Sequence, residues 1–129
     1  MEVFMQNTNR VRPVSVWMGV ADENFAEYIN QDRYGDACGF CQDIGQKYDV
    51  DIVSIYVSDK MVNVKDLMDE VPFSECFENE IIAKCQGMGL FEANACISIM
   101  NEKFSFPADK YFSGLHFIGV FSFSTAGYW

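Results

Sequence analysis

Residues 13–30 read PVSVWMGVADENFAEYIN, an apolar strand pattern that runs through a glycine into an acidic helix start. The run over 14–20 is β-branched, aromatic and apolar enough to predict a strand near the centre of a sheet. Asp22 is a typical N-cap, and we predict a helix over about 23–30. A glycine before a helix can cradle an anion, but here the carboxylates of the chain itself follow it. The stretch therefore predicts a backbone turn with an acidic outer face.

Strand and helix patterns continue on the C-terminal side of this segment. Turn-forming residues over 30–39 predict a surface loop, and Asn63 is placed to cap a helix. Apolar periodicity predicts helices over about 37–45, 64–71 and 74–87, strands over 48–58, 93–100 and 115–123, and a connecting loop between the last two strands. This order predicts an α+β fold, a mostly antiparallel sheet of about four to five strands with helices packed mainly on one face. We expect residues 1–12 to form a flexible N-terminal arm and 13–129 a single domain.

Composition narrows the classes of partner. The 129 residues suit one domain, and half of them are apolar or aromatic, as in a packed globule. Nineteen acidic against nine basic residues give a net charge of −10, which disfavours direct nucleic-acid binding and favours a basic protein partner. We expect no membrane helix, because no apolar run reaches about 18 residues. We expect no secretory signal, because the N-terminus lacks a basic start followed by an apolar run.

The cysteines and the one histidine are the candidates for catalysis. The odd number of five cysteines suggests reduced thiols and a cytoplasmic location. Cys38 and Cys41 have the C-x-x-C spacing of a redox dithiol or half a zinc site, but no second ligand pair is present, and packing is the favoured interpretation. His116 lies in an apolar run, which favours a structural role. We predict no catalytic, cofactor or metal site. The alternative function is a small cytosolic hydrolase or thiol-redox enzyme using His116 or the cysteine pair.

Carboxylates occur in pairs at Asp49 with Asp51 and at Asp69 with Glu70. An acid/base pair in a glycosidase works in a cleft lined with aromatic side chains that stack on sugars, whereas these pairs lie at the predicted ends of a strand and a helix. Solvated charge is the favoured interpretation.

An acidic surface carrying aromatics, on a chain without catalytic motifs, predicts a protein that binds another protein. Tyr34 and Tyr48 are embedded in acidic residues, although each could equally be a half-buried side chain that tethers a loop. An adaptor domain is a further alternative. The predicted contact residues are Asp32, Tyr34, Asp36, Tyr48, Asp49, Asp51, Asp69 and Glu70.

The segments VSVWMG, FAEYI, YDVDIVSIYV, DLMDEV and ANACISIM resemble the Immunity protein 22 family of bacterial polymorphic-toxin immunity proteins, over about residues 14–123. The resemblance implies a cytosolic antidote to a toxin delivered by contact-dependent growth inhibition or a related route. It implies 1:1 binding to the C-terminal domain of the toxin, often a basic nuclease, with no cofactor, no nucleic acid and no membrane. The antidote would block the active site or its access to substrate.

Overall fold

The computed structural model describes residues 11–124, in which four strands form one sheet in the order β2-β3-β1-β4. All neighbouring strands are antiparallel. In chain order the elements are β1 (Val11–Gly19), α1 (Phe25–Tyr28), α2 (Gln31–Tyr34), α3 (Gly39–Ile44), β2 (Val53–Asn63), α4 (Val64–Met68), α5 (Glu78–Gly87), β3 (Glu92–Met100) and β4 (Leu115–Ser124), with 3-10 turns at Gly35–Ala37 and Ser74–Cys76. The predicted α+β class is confirmed.

The strand that opens the sequence is central, as predicted. β1 pairs with β3 on one side and β4 on the other, and residues 14–19 are buried or nearly so. Because side chains alternate along a strand, Val16 and Met18 face one side of the sheet while Trp17 faces the other. Trp17 is fully buried and contacts the rings of Phe40 and Phe117 at centroid distances of 5.2 and 5.0 Å.

Helices cover both faces of the sheet rather than mainly one, which corrects the sequence-based expectation. On one face α4 and α5 pack through Leu67, Met68 and Ile81. On the other face the short helices α1 and α3 pack through Phe25 and Phe40. The physical reason is that β1 and β3 are apolar on both sides, so leaving either side uncovered would expose a large apolar surface to water.

Several element bounds differ from those predicted. β2 begins at Val53 rather than at residue 48 and runs on to Asn63. The segment 74–87 is divided into a 3-10 turn and α5, and the loop predicted over 30–39 contains α2. Residues 1–10 of the predicted arm lie outside the described residues, while positions 11 and 12 already belong to β1. The predicted Asn63 cap is confirmed, since its Oδ1 accepts a hydrogen bond from the backbone N–H of Asp66 at 2.9 Å.

Candidate functional site

Six of the eight predicted contact residues lie together on the layer formed by α2, the following 3-10 turn and the segment that leads into β2. We call this surface the acidic face. All its members are exposed except Tyr48, which is half-buried. The acidic face comprises Asp32, Tyr34, Asp36, Tyr48, Asp49 and Asp51.

Gln31 connects the two halves of the acidic face. Its Nε2 donates to the carbonyl oxygen of Tyr48 at 2.9 Å, and its Oε1 accepts from the Tyr48 backbone N–H at 2.8 Å. The same Oε1 accepts from the thiol of Cys41 at 3.3 Å. The Gln31 amide thus both donates to and accepts from one backbone residue, as a residue of a neighbouring strand would. This side chain therefore fixes the segment before β2 against α2 and α3. We call this set of contacts the Gln31 clamp.

The two tyrosines of the acidic face have different environments. The hydroxyl of Tyr48 donates to the backbone carbonyl of Ile29, and its ring packs in the core beside Phe40. Burial raises its pKa, and the negative charge of Asp32 adds to that effect. Tyr48 is thus a tethering residue, the second of the two roles that the sequence allowed.

Tyr34 is the accessible aromatic of the acidic face, with 38% of its surface exposed. Its hydroxyl donates to Oε1 of Glu27 at 3.3 Å, and the guanidinium of Arg33 lies 5.3 Å from its ring centroid. These contacts orient a ring that is still available to a partner, which is the property of an interface anchor.

Asp49 and Asp51 lie in a turn, not on the pleat of a strand as the sequence pattern predicted. The Oδ1 of Asp49 accepts from the backbone N–H of Asp51 at 2.9 Å, and its carbonyl accepts from Ile52 and Val53. Such a local bond from an Asp side chain competes with strand pairing and delays the start of β2. Asp49 therefore has a structural role in addition to its charge.

Asp69 and Glu70 lie on the opposite layer from the acidic face. They follow α4, which packs on the other side of the sheet. Burial, with the charge of Glu70 as a second cause, raises the pKa of the Cys96 thiol to about 12. One flat partner surface cannot cover both groups, so the structure separates these two residues from the other six.

Cys38 and Cys41 are buried free thiols at the start of α3, with their Sγ atoms 2.9 Å apart. The Cys38 sulfur accepts from the Cys41 backbone N–H at 3.3 Å and so acts as the helix cap. Burial and the hydrogen bond to Cys38 raise the pKa of Cys41 to about 11. A thiol that stays protonated at neutral pH is a poor nucleophile. Within residues 11–124, no group of three or more His, Cys, Asp or Glu side chains could hold a metal ion.

His116 is exposed on β4 and lines a cavity with Lys84 and Lys110. Ser105 lines the same cavity, but no cysteine or carboxylate does, so the cavity lacks the acidic partner that would orient the imidazole as a catalytic base. Sequence reasoning missed this cavity and the Gln31 clamp, because both are formed by segments distant in the chain.

Comparison with known proteins identified one family. The family model described as Immunity protein 22 matches residues 14–124. No curated protein and no solved structure matches the chain. No helix in the described part of the chain is long and apolar enough to cross a membrane.

Proposed function

The chain belongs to the Immunity protein 22 family, and from that premise we propose that it neutralises a cognate bacterial toxin domain by binding it through the acidic face. The family match supports an immunity function in general. The proposal adds a surface, a class of toxin and a mode of action. The toxin is a nuclease of a contact-dependent or related polymorphic system, and the complex is 1:1 and forms in the bacterial cytoplasm.

The observation that carries the proposal is that the acidic face is both exposed and held in shape. The Gln31 clamp joins α2 to the segment before β2 through two hydrogen bonds of 2.8 and 2.9 Å. A surface that is ordered before binding loses less conformational entropy in the complex. The four carboxylates therefore hold their arrangement before a partner binds. They belong to Asp32, Asp36, Asp49 and Asp51.

Charge complementarity supports a nuclease as the target. A nuclease must present cations to phosphate groups, and a preformed set of carboxylates can occupy the same cations. Such complementarity mainly raises the association rate and selects the partner. Desolvation of the carboxylates offsets much of the Coulomb gain, so affinity depends on a few packed anchors. Tyr34 is the exposed aromatic in position to act as one.

The environment of the thiols supports inhibition by binding alone. The buried Cys41 has a pKa of about 11, far from the activated thiols of redox enzymes. We propose that the protein makes and breaks no covalent bond.

The test combines charge reversal with a matched control. Asp32→Lys with Asp51→Lys reverses two charges on the acidic face, and Asp69→Lys with Glu70→Lys makes the same change on the opposite layer. Asp49 is avoided because its side chain forms the turn. Association with the toxin domain encoded by the neighbouring gene is measured by stopped-flow at several salt concentrations.

We expect the first pair to lower the association rate by about tenfold or more at low salt and to weaken its salt dependence. The control pair should change the rate less than about twofold, as expected for rim charges away from the interface. Growth rescue of toxin-expressing cells should follow the same order. Equal effects of the two pairs would refute the acidic face as the binding surface, and failure of the unmutated protein to bind or rescue would refute the proposed function.

A further inference from the structure

A concave surface lies at the β4 edge of the sheet. It is a cavity of about 380 Å³ between α5 and the loop that precedes β4. Its lining includes Lys84 and Met88 from the end of α5, Phe104 and Phe106 from the loop, and residues 116–119 of β4. We call it the β4 cavity.

The β4 cavity is a cationic region in an acidic protein. None of its lining residues is acidic, although the chain has nineteen Asp and Glu. The ammonium of Lys84 lies 3.4 Å from the position that a Cβ on Gly119 would take, so the lysine lies directly over the strand. Lys110 has a long ion pair, 4.0 Å to Asp43, its Nζ lies 5.8 Å from the ring centroid of Phe112, and its side chain is 32% exposed. Both ammonium groups are therefore accessible to further carboxylates.

Aromatic rings give the cavity a fixed apolar wall. Phe106 contacts Phe117 and Phe112, each at 4.9 Å between centroids, and stacks near Phe104 at 5.9 Å. Phe106 also contacts the buried Trp17, at 6.2 Å between ring centroids, and this contact joins the aromatic group to the core. A wall anchored in the core in this way does not have to reorganise to receive an apolar side chain.

The cavity lies along the edge of the sheet, because residues 116–119 of the edge strand β4 line it. Among the strands that the structure describes, β4 pairs only with β1. A bulge opposite Val16 and Trp17, with Gly119 at φ +147°, turns the strand at the cavity. Edge strands present backbone N–H and C=O groups that pair with extended peptides.

We propose that the β4 cavity binds an extended, acidic segment of a partner protein. The peptide backbone pairs with the edge at residues 116–118, its carboxylates meet Lys84 and Lys110, and its apolar side chains pack on Phe104 and Phe106. This site is on a different surface from the acidic face and does not depend on what the acidic face binds.

The charges favour this occupant over a second copy of the chain. Pairing of two β4 edges around a two-fold axis brings Lys84 of one copy towards the lysines of the other and joins two molecules of net charge −10. A small anion could meet the lysines but would leave the strand edge unpaired.

The test uses blocked hexapeptides of alternating glutamate and valine, with a lysine–valine peptide of the same length as the charge control. Binding to the full chain is followed by amide chemical shifts and by titration. We expect saturable shifts at residues 116–120 with the glutamate peptide and not with the lysine peptide. Lys84→Glu with Lys110→Glu should weaken affinity by about tenfold or more, while the matched pair Lys60→Glu with Lys65→Glu should change it less than about twofold.

Lys110→Glu also places a carboxylate beside Asp43, so a second pair, Lys84→Gln with Lys110→Gln, keeps the test valid if the first pair misfolds. This pair should weaken binding less than the glutamate pair and more than the control. The proposal is overturned by equal affinity for both peptides, by equal loss in the matched control, or by no shift at millimolar glutamate peptide. Sedimentation that shows a dimer with protected β4 amides would also overturn it, since a second copy would then fill the cavity.

Discussion

Removal of the Gln31 side chain should lower stability and loosen the acidic face together. In Gln31→Ala, the backbone N–H and C=O of Tyr48 lose their partners at 2.8 and 2.9 Å. Both groups are partly buried, so water replaces these bonds incompletely. At about 0.5–1.5 kcal/mol for each bond, we expect a loss of about 1–3 kcal/mol in the free energy of unfolding.

The loss is measurable by urea unfolding, and as a fall in Tm of roughly 4–12 °C for a domain of this size. Gln42→Ala is the matched control, because Gln42 is an exposed residue of the neighbouring helix α3. It removes the same side chain, and we expect it to change stability by less than about 0.5 kcal/mol. Amide exchange at Tyr48 separates a local effect from a global one.

In Gln31→Ala the Tyr48 amide should exchange faster than global unfolding alone would permit, because the segment before β2 opens locally. Amides of the central strand β3 should exchange only through global unfolding. Toxin association should also slow, since the partner would have to order the segment before β2 on binding. If Gln31→Ala is within about 0.5 kcal/mol of Gln42→Ala, and Tyr48 exchange is unchanged, the Gln31 clamp does not hold the acidic face.

Three further predictions concern Gly19 and the thiols. Gly19→Ala should lower the free energy of unfolding by more than about 2 kcal/mol, because its Cβ would lie 2.2 Å from a backbone carbonyl oxygen in the loop before β4. Gly87→Ala is the control: nothing lies within 4 Å of its Cβ, so it should be neutral or stabilising. Both are measured by urea unfolding. Thiol titration of the native protein should show a fast reaction at the exposed Cys76 and slow reaction at Cys41 and Cys85, whose pKa values burial raises from 9.0 to about 11. Since these two thiols stay protonated in the folded state to higher pH than in the unfolded state, stability should fall as pH rises from about 9 to about 11; constant stability across that range would contradict the burial.

Local patterns in the sequence predicted the elements of the fold well. The apolar run at residues 14–20 predicted a central strand, and β1 is buried on both faces between β3 and β4. Asn63 predicted a helix start that the structure confirms through its bond to Asp66. These features depend on side-chain periodicity and on caps within a few residues, which a sequence shows directly. The resemblance to Immunity protein 22 was likewise confirmed over nearly the whole chain.

Only the tertiary structure decided which residues meet. Gln31 and Tyr48 are seventeen residues apart, and nothing in either segment marks them as partners. The β4 cavity combines α5, the loop after β3 and the edge strand β4, which become neighbours only through the strand order. The separation of Asp69 and Glu70 from the acidic face arises from the same cause, because it depends on which side of the sheet each helix covers. Periodicity fixes which side of an element is apolar, but the pairing of strands fixes what that side faces, and this pairing is set by the packing of the whole chain.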